Sequence, residues 1–115
     1  MCRLEQSATI LELPKGFRLR IQSHGTARVP VTVEINLREG GTLEGCEPAA
    51  KSTGAWMLPS GHAIYRAGSH GIRFGPGRRE HTYLQVRGAA QKLEGPSVYI
   101  TGSTPFDHTL EFEWV

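Results

Sequence analysis

The chain has 115 residues, a formal net charge of +2, and 38% of its positions in the apolar set AVILMFWYC. That length fits one domain, 1–115, and that apolar share is enough to offset chain entropy, which excludes a disordered chain. Fourteen Gly and seven Pro exceed the usual share and accompany short strands and tight turns, not long helices.

From the N-terminus, Met1-Cys2-Arg3-Leu4-Glu5-Gln6 lacks the apolar stretch of a secretory signal, and no window approaches a membrane helix. The expectation is a soluble chain, either cytoplasmic or cut from a longer exported parent. Apolar residues then recur at period two, the signature of strands. Phe17, Leu19 and Ile21 alternate with Arg18, Arg20 and Gln22. Val31, Val33, Ile35 and Leu37 alternate with Thr32, Glu34 and Asn36. Leu110, Phe112 and Trp114 alternate with Glu111 and Glu113. Pro14-Lys15-Gly16, Glu39-Gly40-Gly41, Pro59-Ser60-Gly61, Gly75-Pro76-Gly77 and Gly102-Ser103-Thr104-Pro105 punctuate these runs as turns.

The pattern predicts strands over 8–13, 17–23, 30–37, 42–46, 55–58, 62–67, 71–75, 80–87, 96–101 and 108–115. Residues 47–54 read as a loop, and 89–92 as a short helical turn. Many short strands at this spacing predict an all-β fold, an antiparallel β-sandwich of about eight to ten strands. Trp56 and Trp114 read as core or strand-end packing.

Charge is unevenly placed. Residues 48–92 carry seven basic side chains and one acid, whereas 93–115 carry four acids and no base. Ten of the thirteen basic residues are Arg, whose planar fork matches carboxylate and sulfate. A predicted hairpin over 71–87 would turn Ile72, Phe74, Thr82, Leu84 and Val86 inward. Its outer face would then carry Arg73, His81, Tyr83, Gln85 and Arg87, with Arg78 and Arg79 at the turn and Arg66 nearby. An aromatic ring among guanidinium groups suits an acidic polysaccharide. The competing reading is a solvated face, or one neutralised by Glu111 and Glu113 lying across from Arg18 and Arg20 or from the basic hairpin.

Catalytic and metal signatures are missing. His24, His62, His70, His81 and His108 follow no metal-ligand spacing, and Cys2 with Cys46 fit no zinc pattern. They read as free thiols, or as one bridge if the domain is exported. No Gly-x-Ser-x-Gly elbow is present, and no glycine-rich loop opens a helix. Tyr65, Tyr83 and Tyr99 supply the residue type a β-eliminating lyase needs, beside arginines that would neutralise a uronate. The basic block lacks a nucleic-acid-binding pattern. No cofactor, nucleic acid or membrane partner is expected.

Three stretches carry a family resemblance: Val33-Glu34-Ile35-Asn36-Leu37-Arg38-Glu39-Gly40-Gly41, then Gly75-Pro76-Gly77-Arg78-Arg79-Glu80-His81-Thr82 with Val86-Arg87-Gly88, and Tyr99 to Leu110. Together, Val31 to Trp114 resembles the C-terminal β-sheet portion of bacterial heparinase II/III-type proteins. The resemblance implies a sandwich that, in the parent enzymes, closes over a helical toroid where acidic polysaccharide is cleaved by β-elimination. This chain has no room for the toroid and its catalytic tyrosine, so no catalytic residue carries over. What it implies is a non-catalytic accessory or binding domain for an acidic polysaccharide, or for a neighbouring catalytic domain. Two alternatives stand beside it: a structural or protein-interaction domain that docks through 108–115 or an unpaired edge strand, on itself or another domain, and a small lyase or metal-dependent sugar-acting enzyme.

Overall fold

Where side chains alternate between apolar and polar, the backbone is extended and buries one face. The computed structural model describes residues 4–48, 54–81 and 95–115, and among them every regular element is a strand. In chain order these are β1 (Leu4–Leu13), β2 (Gly16–Gly25), β3 (Pro30–Asn36), β4 (Thr42–Glu44) and β5 (Glu47–Pro48). They continue with β6 (Ala55–Met57), β7 (Ala63–Ala67), β8 (His70–Gly75), β9 (Ser97–Ser103) and β10 (Phe106–Trp114).

One sheet has the order β1-β2-β10-β8-β7-β4 and the other β3-β9-β6-β5. The fold is all-β and sandwich-like, as the alternation predicts. Its core joins Leu58, Ala63, Tyr65, Phe74, Leu110 and Phe112 to Val98 and Ile100 of β9, with Phe17, Leu19, Ile21, Val33 and Ile35 packed around them. The period-two sets therefore point inward where the sequence placed them, except at the end of β10, where Trp114 is exposed. Phe112 is the centre of an aromatic row, with Phe17 stacked at 4.6 Å on one side and Phe74 at 5.8 Å on the other.

One pairing departs from an antiparallel sandwich: β6 runs parallel to β9. A parallel pair needs a long crossover, and here the chain from 58 to 96 supplies it by passing through β7 and β8 of the opposite sheet. The loop read over 47–54 contains a two-residue strand, β5, paired to β6. Residues 49–53 and the helical turn at 89–92 lie outside the described residues.

The predicted hairpin over 71–87 does not close on β8, and residues 82–87 of its returning strand lie outside the described residues. Both edges of β8 are occupied, by β7 on one side and β10 on the other, so no edge is left for a returning strand. After Gly75 the chain crosses to the second sheet instead. The Gly77 amide donates to the Gly61 carbonyl (2.8 Å), the Arg78 amide to the Leu58 carbonyl (2.9 Å), and the Thr101 amide to the Arg78 carbonyl (2.9 Å). Residues 77–79 thus continue, along β9, the edge that β6 and Leu58 occupy up to Tyr99.

Thr101 anchors this crossing. Its fully buried Oγ1 accepts from the amides of Glu80 (3.0 Å) and His81 (3.2 Å) and donates to the His81 carbonyl (2.7 Å). Thr101→Val keeps the shape and removes all three partners. A buried donor left unmatched costs about 1–3 kcal/mol, so the urea midpoint is expected to fall by an amount equivalent to about 2–3 kcal/mol. Thr101→Ser, which keeps the hydroxyl, is expected to recover most of it.

Candidate functional site: an open strand edge beside an ion-paired face

On the outer face of the six-stranded sheet, Arg18 of β2 donates to Glu111 of β10 through Nε (2.9 Å) and Nη2 (2.7 Å). Arg20 grips Asp107 with two parallel bonds of 2.9 and 2.6 Å. This is the self-neutralised face weighed against a binding face, with one change: Arg20 takes Asp107, and Glu113 stands in register with Arg73.

The Arg20 bonds hold the Asp107 carboxyl below the usual carboxylate range. A folded-state pKa below the unfolded one stabilises at pH above the unfolded value and is lost as pH falls through the folded value. Asp107→Asn is therefore expected to leave acid unfolding shallower below about pH 4 and neutral stability nearly unchanged, since both side chains are half exposed. A pH series of thermal midpoints for the two proteins measures this.

Of the other residues read as binding sugar, Arg78 pairs with Glu80 and lies over the Phe106 ring at 5.0 Å, and Arg79 pairs with Glu47 at 3.0 Å. His81 holds the Val31 carbonyl through Nε2 at 3.0 Å. These contacts staple the crossing to the second sheet. Arg66 and Arg73 are exposed on the outer face of β7 and β8, with no ion pair among the described residues. Tyr83, Gln85 and Arg87 lie outside the described residues. Hence the structure unites Arg66 and Arg73 on one face, and directs Arg78, Arg79 and His81 into internal contacts.

Of the three tyrosines, two fall within the described residues. Tyr65 is buried; its hydroxyl donates to the Arg38 carbonyl and accepts from the Gly41 amide. Tyr99 is buried as well. Cys46 is a free, half-buried thiol that burial pushes up to about 11, and Cys2 lies outside the described residues. Among the described residues, no three of His, Cys, Asp and Glu converge as metal ligands. Trp56 packs against the core as expected. Trp114 is 61% exposed and walls an apolar groove of about 300 Å³ with Ile72, Tyr65 and Val115.

The feature with the least internal purpose is β1. It pairs with β2 over ten consecutive residues without a bulge, and among the described residues nothing pairs with its other edge. From Glu5 to Glu12 every residue is exposed, including Ile10 at 70% and Leu11 at 52%. Both faces are therefore bare, because the four-stranded sheet does not reach this far. The direction of the free backbone groups follows from β2. The Trp114 amide bonds the Lys15 carbonyl, so odd residues of β2 face β10 and even ones face β1. Antiparallel alternation then bonds odd residues of β1 back to β2. The N–H and C=O groups of Gln6, Ala8, Ile10 and Glu12 point off the open edge.

Periodicity alone starts this strand at residue 8 and assigns it no role. A signal was present: Ser7, Thr9 and Leu11 on one face, and Gln6, Ala8 and Ile10 on the other, mix polar and apolar residues on both. A strand that buries neither face has no reason to alternate. No family model, curated protein or solved structure matches this chain.

Proposed function

We propose that this domain is a non-catalytic interaction module that receives another polypeptide strand along β1. The observation that carries the reading is a ten-residue sheet edge that no described segment covers, whose only charges are Glu5 and Glu12. Proteins usually blunt exposed edges with Lys, Pro, bulges or very short strands. β1 has none of these. Strand addition gains affinity from main-chain hydrogen bonds and selectivity from alternate side chains, and Gln6, Ala8, Ile10 and Glu12 present those groups in line.

The test uses Ala8→Pro. Its amide points away from β2, where proline is tolerated on an edge strand, so the fold is expected to survive while the edge loses a donor. Fluorescent ten-residue peptides of alternating apolar and polar residues, including one copying 4–13, are titrated with wild type and variant. A rise in anisotropy with wild type, and at least about tenfold weaker binding to the variant (about 1.4 kcal/mol), is expected. A chain that binds no peptide and stays monomeric at high concentration overturns the reading.

One observation favours a second reading: Arg66 and Arg73 stand exposed on one outer face, with no ion pair among the described residues. On that reading, the one the heparinase II/III resemblance implies, they hold an acidic polysaccharide. Glu113 beside Arg73 and Glu44 beside Ile64 interrupt the positive field, which is why it ranks second. Arg66→Ala with Arg73→Ala is expected to shorten retention on a heparin column at low salt; unchanged retention removes the reading.

A further inference from the structure

Resting on the strand-addition reading, we infer that the occupant of the β1 edge is β1 of a second copy of this chain, antiparallel, about a two-fold axis at Thr9. Three constraints lead there. First, the outward groups belong to even residues, so the ladder must join even residues to even ones. Every partner pair then sums to an even number, and each side chain stays on its own face of the sheet.

Second, that parity separates the acids. Glu5 lies on the outer face, where it pairs with His24 at 3.0 Å, and Glu12 lies on the inner one. The pairing of greatest overlap, which would set Glu5 against Glu12, is therefore closed, and no near-complete even register brings two carboxylates together. Third, the two next-longest registers differ in what they cover. An axis at Ala8 places Ile10 against Gln6 and Leu11 against Glu5. An axis at Thr9 places Ile10 against Ala8, Thr9 against Thr9, and Glu12 against the uncharged Gln6, and sets Glu5 against Leu13, which is already half-buried, where the Ala8 axis sets it against the exposed Leu11. The second covers the most exposed apolar side chain of the strand with an apolar partner, and matches Thr with Thr, a favourable cross-strand pair. The two six-stranded sheets become one continuous sheet across the axis.

The register makes a chemical prediction. Odd residues form the non-hydrogen-bonded pairs, whose Cα atoms lie about 4.5 Å apart, within the span of a disulfide. In a background of Cys2→Ser with Cys46→Ser, Thr9→Cys is expected to form a covalent dimer under mild oxidation, at least about tenfold faster than Ala8→Cys. Sedimentation velocity of the wild type over micromolar to millimolar concentrations is expected to show monomer and dimer in exchange. Ala8→Pro, or Ile10→Lys should that variant fold poorly, is expected to leave monomer alone. A wild type that stays monomeric while the labelled peptides bind overturns the self-pairing and spares the strand-addition reading. A monomer that binds no peptide overturns both. A dimer that Ala8→Pro and Ile10→Lys leave intact, or that crosslinks at least as fast through Ala8→Cys as through Thr9→Cys, overturns the inference.

Discussion

Phe112→Ala is expected to destabilise the domain by about 3–5 kcal/mol, the usual cost of emptying a large aromatic site in a packed core. Phe112 lies between Phe17 of β2 and Phe74 of β8, stacked on both. Those three strands are neighbours in the six-stranded sheet, and their rings face Val98 and Ile100 of the other. Truncation removes two ring contacts, each contributing about 0.5–1.5 kcal/mol beyond area, together with the apolar burial itself. Against a total of about 5–15 kcal/mol for a domain, the loss is a large share. Differential scanning calorimetry is expected to record a fall in Tm of roughly 10–20 °C. Phe112→Leu, which keeps most of the volume, is expected to cost less than half as much. Equal losses for the two would show that ring stacking, and not filled volume, is what Phe112 supplies.

Gly77→Ala has the second largest expected effect, through the backbone. A Cβ at Gly77 would stand 2.2 Å from the Leu58 carbonyl oxygen and 2.5 Å from Leu58 Cγ. Neither side can retreat cheaply. Leu58 is fully buried and its amide bonds the Tyr99 carbonyl, and the Gly77 amide is tied to Gly61. Relief requires breaking the Arg78-to-Leu58 and Thr101-to-Arg78 bonds that seat the crossing on β9. Overpacking costs about 1–3 kcal/mol and each lost hydrogen bond about 1 kcal/mol, so a loss of about 3 kcal/mol or more is expected in urea denaturation. Gly68→Ala is the control. Its φ of +63° strains any side chain, but open space surrounds it, and only about 1–2 kcal/mol is expected. A Gly77→Ala loss no larger than that of Gly68→Ala would show that the crossing yields freely.

These two sites mark the boundary between what alternation encodes and what it does not. The inward set at 17, 19, 21, 110 and 112 is legible because burial of one face demands period two, and the strands follow to within a few residues. The same logic misplaced the segment after Gly75. Gly-Pro-Gly signals that the chain turns, but not whether it folds back on β8 or crosses to the other layer. That was decided by β10, a segment 30 residues further on, which already occupies the edge of β8. Arg78, Arg79 and His81 then make contacts within the crossing, and among the described residues the arginine face holds Arg66 and Arg73.

Taken alone, the sequence determined that this protein is all-β, which side chains of β2, β3 and β10 turn inward, and that opposite charges were available to meet across strands. Side-chain periodicity is local, so it can be read without knowing the neighbours. Only the tertiary structure decided which strands are neighbours, that Arg20 takes Asp107 while Arg18 takes Glu111, and that β1 ends a sheet with both faces and one edge bare. Strand order and coverage are long-range properties, set by which distant segments win each edge, and the open edge exists because no described segment of the chain competes for it.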